Sequence, residues 1–223
     1  MKPPILFSRY ESITSVYGPN AANDGAFAFA AAQYGNGVVC PAAISAGATW
    51  HHNTVPNGGA NYFGMFAWFK LNGWSIANGV PSSGLRLFWG GIDGNQGLQW
   101  YYYSSGYGCT VGATWNTGYA ECKCTDAAYD VAANALTHIG FVIDGTNVLH
   151  YINGANIASV AYNVAGKTLA NASSELGSYN TGQYEADFLV DNLVILNYVP
   201  TDAQVKRIMN AERGCMNDNF TQG

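Results

Sequence analysis

The feature that most constrains this chain is a turn signal that recurs at short intervals from end to end. Runs of β-branched and aromatic residues such as "AFAFA", "YFGMFAWFKL", "LRLFWGGI" and "LQWYYYSS" are each closed by Gly, Asn, Pro or Ser. "HIGFVID", "VLHYING", "NIASVAYN" and "DFLVDNLVILN" continue the pattern. Helices need longer stretches between breakers, so this spacing predicts an all-β, antiparallel sandwich or barrel. "DGTN" (Asp144 to Asn147) and "INGAN" (Ile152 to Asn156) put Gly where a tight reversal needs positive φ, which makes the three runs they join an antiparallel meander. One helix is predicted near the C-terminus. Pro200 stops the last strand, and Thr201 and Gln204 have capping-box spacing. Val205, Ile208 and Met209 repeat at helical intervals, and Gly214 is the expected stop.

A chain of 223 residues suits one large all-β domain. The expected organisation is an N-terminal arm or edge strand over residues 1–22, followed by a single domain over 23–223. Charged residues make up only 10% of the chain, against a usual quarter. The surface must then be wetted by Asn, Ser, Thr, Tyr and backbone, or covered by other subunits. A net charge of −5 and the lack of any Lys/Arg cluster exclude a nucleic-acid partner, which needs a basic stripe. "MKPPILFSRYE" is too short in apolar residues for a signal-peptide core, and "AFAFAAA" is too short for a membrane span. The expected location is a virion or extracellular surface, reached without a conventional signal, as by lysis.

The five cysteines, Cys40, Cys109, Cys122, Cys124 and Cys215, are an odd number, so they cannot all pair within the chain. "CKC" lacks a second close pair at zinc spacing. Buried thiols are the expected state, with a Cys109–Cys122 bridge as the alternative in an oxidising setting. His51 and His52 are neighbours, so on a strand they take opposite faces and cannot share a metal. His150 is expected at a surface or cross-strand position. Aromatic residues concentrate mid-chain, at Trp89, "WYYYSSGY", Trp115 and Tyr119. Trp100, Tyr102, Tyr107 and Trp115 are the candidates for a glycan-stacking or interface surface. Alternation puts Trp100 and Tyr102 on one face of their strand and Tyr101 and Tyr103 on the other, and one of these pairs should be core.

The last third of the chain resembles the laminin G-like, concanavalin A-like jelly-roll family. "LTHIGFVIDGTNVLHYINGANIAS" is similar to the family's W-H-H-V-A…D-G…L-Y-V-N-G segment. "VDNLVILNYVPTDAQVKRIMN" is similar to its closing I-D-D-V-R-I-Y-N-R-A-L-S and helix, and "FGMFAWFKL" places Trp68 at the family's buried Trp. The match departs at Leu136, Thr137 and Asn192, which stand where the family has Trp, His and Asp. His138 matches the second His of the pair and is expected to be structural. "TWHHNTVPNGG" and "SSGYGCTVGATWNTGYAECKC" have no family counterpart and are expected to form loops peculiar to this chain.

The resemblance implies a concanavalin A-like jelly roll with glycan-binding or glycan-cleaving relatives. Glucanases of this broad fold carry E-x-D-x-x-E, of which Glu185 and Asp187 match the first two positions while the third is Val190. Valine cannot transfer a proton, so the reading is non-enzymatic. Phe188, Val190, Val194 and Leu196 are expected on one face of this strand, with Leu189, Leu193 and Ile195 on the other, which buries the strand between layers. Asp191 within it needs a partner. The resemblance offers calcium, held by Asp191 together with Asp24 or Asn23; the alternative is backbone N–H donors at a turn. The expectation is a lectin-like surface protein, a phage or viral decoration, fibre or tail component. Its partners would be glycans, neighbouring virion subunits or further copies of itself. A secreted lectin is the alternative, and a polysaccharide-cleaving glucanase or lyase comes last.

Overall fold

Two glycines decide the most local part of the fold. Gly145 and Gly154 have φ of 100° and 75°, with Asn153 at 49° beside the second; this left-handed region is cheap only for Gly and, less so, Asn. The chain therefore reverses at both turns, as their sequences predict. The structure is a computed structural model that describes residues 6–8, 21–23, 27–40, 50–55, 62–71, 85–90, 98–103, 108–115, 118–123, 135–164, 172–176 and 188–210. Along the chain these form β1 (Leu6–Ser8), β2 (Ala21–Asn23), β3 (Ala28–Ala32), β4 (Gly35–Cys40), β5 (Trp50–Val55), β6 (Phe63–Leu71), β7 (Leu85–Gly90) and β8 (Leu98–Tyr103). They continue with β9 (Gly108–Trp115), β10 (Gly118–Lys123), β11 (Leu136–Ile143), β12 (Asn147–Ile152), β13 (Ala155–Ala161), β14 (Ala172–Leu176), β15 (Phe188–Leu196) and the helix α1 (Asp202–Met209).

The strands build two antiparallel sheets. An eight-stranded sheet runs β13-β12-β11-β6-β15-β4-β3, with β1 added beside β15, and a seven-stranded sheet runs β10-β9-β8-β7-β14-β5-β2. This is the predicted sandwich. The β11–β12–β13 meander is present, with Val142 opposite Leu149 and Val148 opposite Val160. The segments expected to be loops supply strands instead: "TWHHNTV" contains β5, and the Cys109–Lys123 stretch forms most of the β9–β10 hairpin. In β9 the period of two is present in the sequence, Cys109, Val111, Ala113 and Trp115 alternating with Thr110, Gly112 and Thr114.

The register of β15 corrects one expectation. Asp191 lies opposite Trp68, but Val194 lies opposite Phe66, so Asn192 and Leu193 together face a single residue of β6. Asn192 sits at φ 52°. A bulge of this kind inserts one residue and inverts the alternation beyond it, and Asn is among the few non-glycine residues that accept the left-handed position. Hence Phe188 and Val190 share a face with Leu193 and Ile195, whereas Val194 and Leu196 join Leu189 and Asp191 on the other. The bulge also lets β15 change neighbours, with β4 beside residues 188–190 and β1 beside 193–195. Every residue of β15 is buried.

One face of β15 belongs to the sandwich interior, where Phe188 meets Phe69 and Phe63 stacks with Phe141. The other lies under α1. Val194 and Leu196 pack with Phe66, Val142 and Tyr151 against Val205 and Ile208 of the helix. Each helix side chain so buried contributes about 1.5–3 kcal/mol. The predicted capping box is present: the Gln204 N–H donates to Thr201 Oγ1 at 3.3 Å, and the Thr201 N–H donates to Gln204 Oε1 at 2.8 Å. The helix ends at Met209 with Asn210 as its C-cap, short of the Gly214 stop expected from sequence. Gly214 lies outside the described residues. Among the described residues no helix is long and apolar enough to cross a membrane.

Two substitutions test this packing. A Cβ on Gly140 would overlap Cδ1 of Phe66 and lie 2.7 Å from Cε1 and 2.8 Å from the Met65 carbonyl oxygen. Gly140→Ala should therefore cost about 1–3 kcal/mol in urea unfolding. Asn192→Gly should be close to neutral in the same measurement, and Asn192→Val should lose about 1–2 kcal/mol, because a β-branched residue resists the left-handed region.

Candidate functional site

Asp191 is the carboxylate with most to explain, being fully buried in β15. Its Oδ2 accepts the backbone N–H of Tyr34 at 2.9 Å, in the turn between β3 and β4. That is the backbone-donor arrangement left open by the sequence. The same Tyr34 donates its hydroxyl to the Met209 carbonyl oxygen at 3.0 Å, and Trp68 Nε1 donates to that oxygen at 3.3 Å. Tyr34 and Trp68 meet edge to face, with centroids 6.3 Å apart. One carboxylate thus positions a turn whose tyrosine ties down the C-terminal end of α1. Trp68 is half-buried and not fully enclosed, because its N–H reaches the helix end. Calcium takes several oxygen ligands; the Asp191 carboxylate accepts the Tyr34 N–H, and Trp68 lies opposite it in β6. Among the described residues no three His, Cys, Asp or Glu side chains gather around one point. Asp24 lies outside them, and Asn23 ends β2 in the other sheet.

The histidines divide by sheet. His138 is buried in β11 between the rings of Phe66 and Trp68, at centroid distances of 6.0 and 5.3 Å. Burial pushes its imidazole down from the ordinary 6.5 to about 3. His150 is fully buried in β12, opposite Phe141 and Ala158, which is the cross-strand and not the surface alternative of the sequence expectation. Burial lowers it to about 4. His51 and His52 are adjacent in β5, opposite Glu175 and Ser174 in register.

The seven-stranded sheet holds the aromatic candidates. Cys122 is buried, and its row runs through Val111, Trp100 and Phe88 to Leu176. A second row on the same face joins Ala120, Ala113 and Leu98. Trp100, Tyr102 and, at the end of β9, Trp115 fall at register positions in phase with these rows. Tyr107 lies outside the described residues. Cys109 lies opposite Tyr102, two positions from the residue that faces Cys122, so the two cysteines are offset along the hairpin.

The opposite face reads differently. One unbroken row crosses all seven strands: Glu121, Gly112, Gln99, Trp89, Glu175, His51 and Ala22. The next row holds Lys123, Thr110, Tyr101 and Arg86. Trp89 and Tyr101 are the aromatic residues at register positions of these two rows. A signal was available in "GYAECK", where Glu121 and Lys123 bracket the thiol that marks the inner face.

Carboxylates occur in this row at Glu121 and Glu175, four strand spacings apart, or about 19 Å. Glycoside hydrolysis needs a pair about 5–5.5 Å apart to retain configuration or about 6.5–9.5 Å to invert it. These two cannot act on one bond. Val190, at the third position of the glucanase-like motif, is fully buried between Phe69 and Val38. Glu185 and Asp187 lie outside the described residues.

A family profile described as the concanavalin A-like lectin/glucanases superfamily, of laminin G type, matches residues 59–206. The chain belongs to this superfamily. No curated protein sequence matches it. Among solved structures, domain 4 of an extracellular arabinanase from Geobacillus stearothermophilus, in complex with arabinotriose, is 17% identical with a TM-score of 0.66. That match covers 93% of this chain and 98% of that one. The binding domain of Paraclostridial Mosquitocidal Protein 1 gives a TM-score of 0.71 at 12% identity, covering 94% of this chain and 52% of that one. The botulinum neurotoxin serotype D ligand-binding domain, in complex with N-acetylneuraminic acid, gives 0.68 at 12%, covering 94% and 51%. This chain spans about half the length of the toxin domains, and at these identities the likeness is one of fold.

Within this concanavalin A-like fold the buried histidines predict acid sensitivity. Both stay neutral in the native protein down to about pH 4, whereas the unfolded chain binds their protons below 6.5. The unfolded state then holds more protons, so stability is complete above pH 6.5 and falls as pH drops toward 4 and then 3. The slope is about 1.4 kcal/mol per pH unit for each histidine. Urea midpoints at pH 7 and 4.5 should show the fall, and His138→Leu should remove about half of it.

Proposed function

We propose that this chain is a non-catalytic glycan-binding module whose ligand lies across the polar face of the seven-stranded sheet. The observation that carries this reading is the unbroken row from Glu121 to His51, with Trp89 at its centre between Gln99 and Glu175. An indole ring stacks on the apolar face of a pyranose or furanose. Amide and carboxylate groups on either side match the donors and acceptors of sugar hydroxyls. Relatives of the same fold crystallised with arabinotriose and N-acetylneuraminic acid support the ligand class. The wide separation of Glu121 and Glu175 supports binding without bond cleavage.

On this reading the module sits on an exposed surface. We place it on a virion, as a decoration, fibre or tail component, because only 10% of its residues are charged and a surface of that kind suits contact with neighbouring subunits. Secretion as a free lectin is the alternative. Fractionation separates them: recovery with particles supports the virion assignment, and recovery in the particle-free medium overturns it.

The function itself is tested by titrating a panel of neutral and acidic oligosaccharides in a calorimeter. Trp89→Ala should weaken binding of any positive glycan at least tenfold, about 1.4 kcal/mol or more. Glu175→Gln should weaken it severalfold, with both variants keeping the native unfolding midpoint. Reducing-end release from the same panel should stay at the blank. Undiminished affinity in Trp89→Ala, or no binding across the panel, would remove the proposal.

A further inference from the structure

The turn motif "INGAN" carries a chemistry that neither the fold nor the proposed binding row uses. Asparagine followed by glycine is prone to ring closure, because glycine has no Cβ to keep its backbone nitrogen away from the asparagine side chain. Five such pairs stand in the chain, at Asn36, Asn57, Asn72, Asn78 and Asn153. Asn57, Asn72 and Asn78 lie outside the described residues, which leaves Asn36 and Asn153 to compare.

The two identical dipeptides meet opposite surroundings. Gly37 is buried, and a Cβ on it would lie 2.5 Å from the Val190 carbonyl oxygen and 3.1 Å from Cβ of Ala32. The turn just before it is pinned, since Tyr34 donates its N–H to Asp191 and its hydroxyl to the Met209 carbonyl oxygen. Ring closure at Asn36 therefore needs β4 to part from β15, a costly opening. Asn153 is exposed at the tip of the β12–β13 hairpin, at φ 49°, a region unfavourable to most side chains. Its N–H donates to the His138 carbonyl oxygen at 2.7 Å, and its Oδ1 accepts the His138 N–H at 3.2 Å. Gly154 is covered by flexible side chains, for a Cβ on it would lie 3.2 Å from both Cγ of Lys206 and Sδ of Met209. Freeing Asn153 breaks two hydrogen bonds at a hairpin tip and leaves the sheet paired.

We propose that Asn153–Gly154 is a site of spontaneous deamidation, and that its isoaspartyl product loosens the C-terminal end of α1. The Gly154 nitrogen, losing its proton to hydroxide, attacks Cγ of Asn153. The bond from Cγ to the carboxamide nitrogen breaks, ammonia leaves, and a succinimide ring remains. Water adds to either ring carbonyl and breaks its bond to the Gly154 nitrogen or to Cγ's side of the ring, giving isoaspartate or aspartate. No oxidant or enzyme is required. Aspartate keeps an acceptor for the His138 N–H. Isoaspartate routes the backbone through Cβ, which adds a methylene to a turn of two residues between the paired Ile152 and Ala155. Gly154 is then displaced against Lys206 and Met209, and the Met209 carbonyl oxygen is the acceptor that Tyr34 and Trp68 share. The site lies in the sheet opposite to the one carrying the glycan-binding row, and does not rest on that reading.

Incubating the full chain at mildly alkaline pH, with peptide mapping by mass, tests the site. Asn153 should convert at least tenfold faster than Asn36, and a synthetic peptide of residues 149–158 sets the unhindered rate. Methyl transfer by an isoaspartyl methyltransferase should label the same peptide. Asn153→Asp should abolish that label and keep the urea midpoint of the fresh wild-type chain. The isoaspartyl form, separated by ion exchange, should unfold at lower urea than Asn153→Asp and exchange the Asn210 amide hydrogen faster. Equal conversion at Asn36 and Asn153, an intact Asn153 once the peptide has fully converted, or an isoaspartyl form as stable as Asn153→Asp would overturn the proposal.

Discussion

The structure depends on burying both faces of β15. A strand enclosed on two sides must supply apolar residues at consecutive positions, and "FLVDNLVIL" does so apart from two residues. Those two, Asp191 and Asn192, are where the strand departs from regularity. Asn192 takes the left-handed conformation that inverts the alternation, so that Val194 and Leu196 reach the helix face while Ile195 stays with Met65 in the sandwich interior. Without that inversion, the apolar residues after the bulge would exchange faces and α1 would lose its seat. The acid beside the bulge then has an architectural task, since its carboxylate holds the turn that carries Tyr34 to the helix end.

This closure of one sheet bears on function. The outer face of the eight-stranded sheet is occupied near its centre by α1, with Val205 and Ile208 inserted and Tyr151 donating to Asp202 at 3.0 Å. In the seven-stranded sheet the rows through Glu121 and Lys123 alternate in register with the row through Cys122. The proposed glycan-binding row in that sheet can vary in sequence without disturbing the packing of β15 against α1. Rigid strands also hold stacking and hydrogen-bonding positions at fixed spacing, which lowers the ordering cost when a ligand binds.

Much of the fold was legible before any coordinates. The capping box at Thr201 and Gln204 and the two glycine turns rest on contacts between residues close in sequence, and each was found where its motif stands. The strands in the Thr- and Gly-rich middle were missed. β5 pairs with β2 and β14, and β9 with β8 and β10, and these pairings are what complete the strands. The facing of Val194 escaped for a related reason: a bulge is a relation between two strands, and alternation counted along one strand cannot show it. The same holds for Trp100 and Trp89, both aromatic and both on strands, which the cross-strand rows assign to opposite faces.

The amino-acid order by itself determined that this chain would form an antiparallel sandwich with one capped helix. It also determined that no basic stripe exists for nucleic acid and that the glucanase-like motif lacks its third acid. These follow from residue chemistry and short-range backbone preference. Only the tertiary structure decided which side of each strand turns inward, which histidines are sealed from water, and that a buried aspartate serves a tyrosine turn. Those outcomes depend on pairing between segments separated by up to 157 residues, as Tyr34 and Asp191 are. Register across such distances is chosen by the burial of the whole sheet, not by any one stretch of chain.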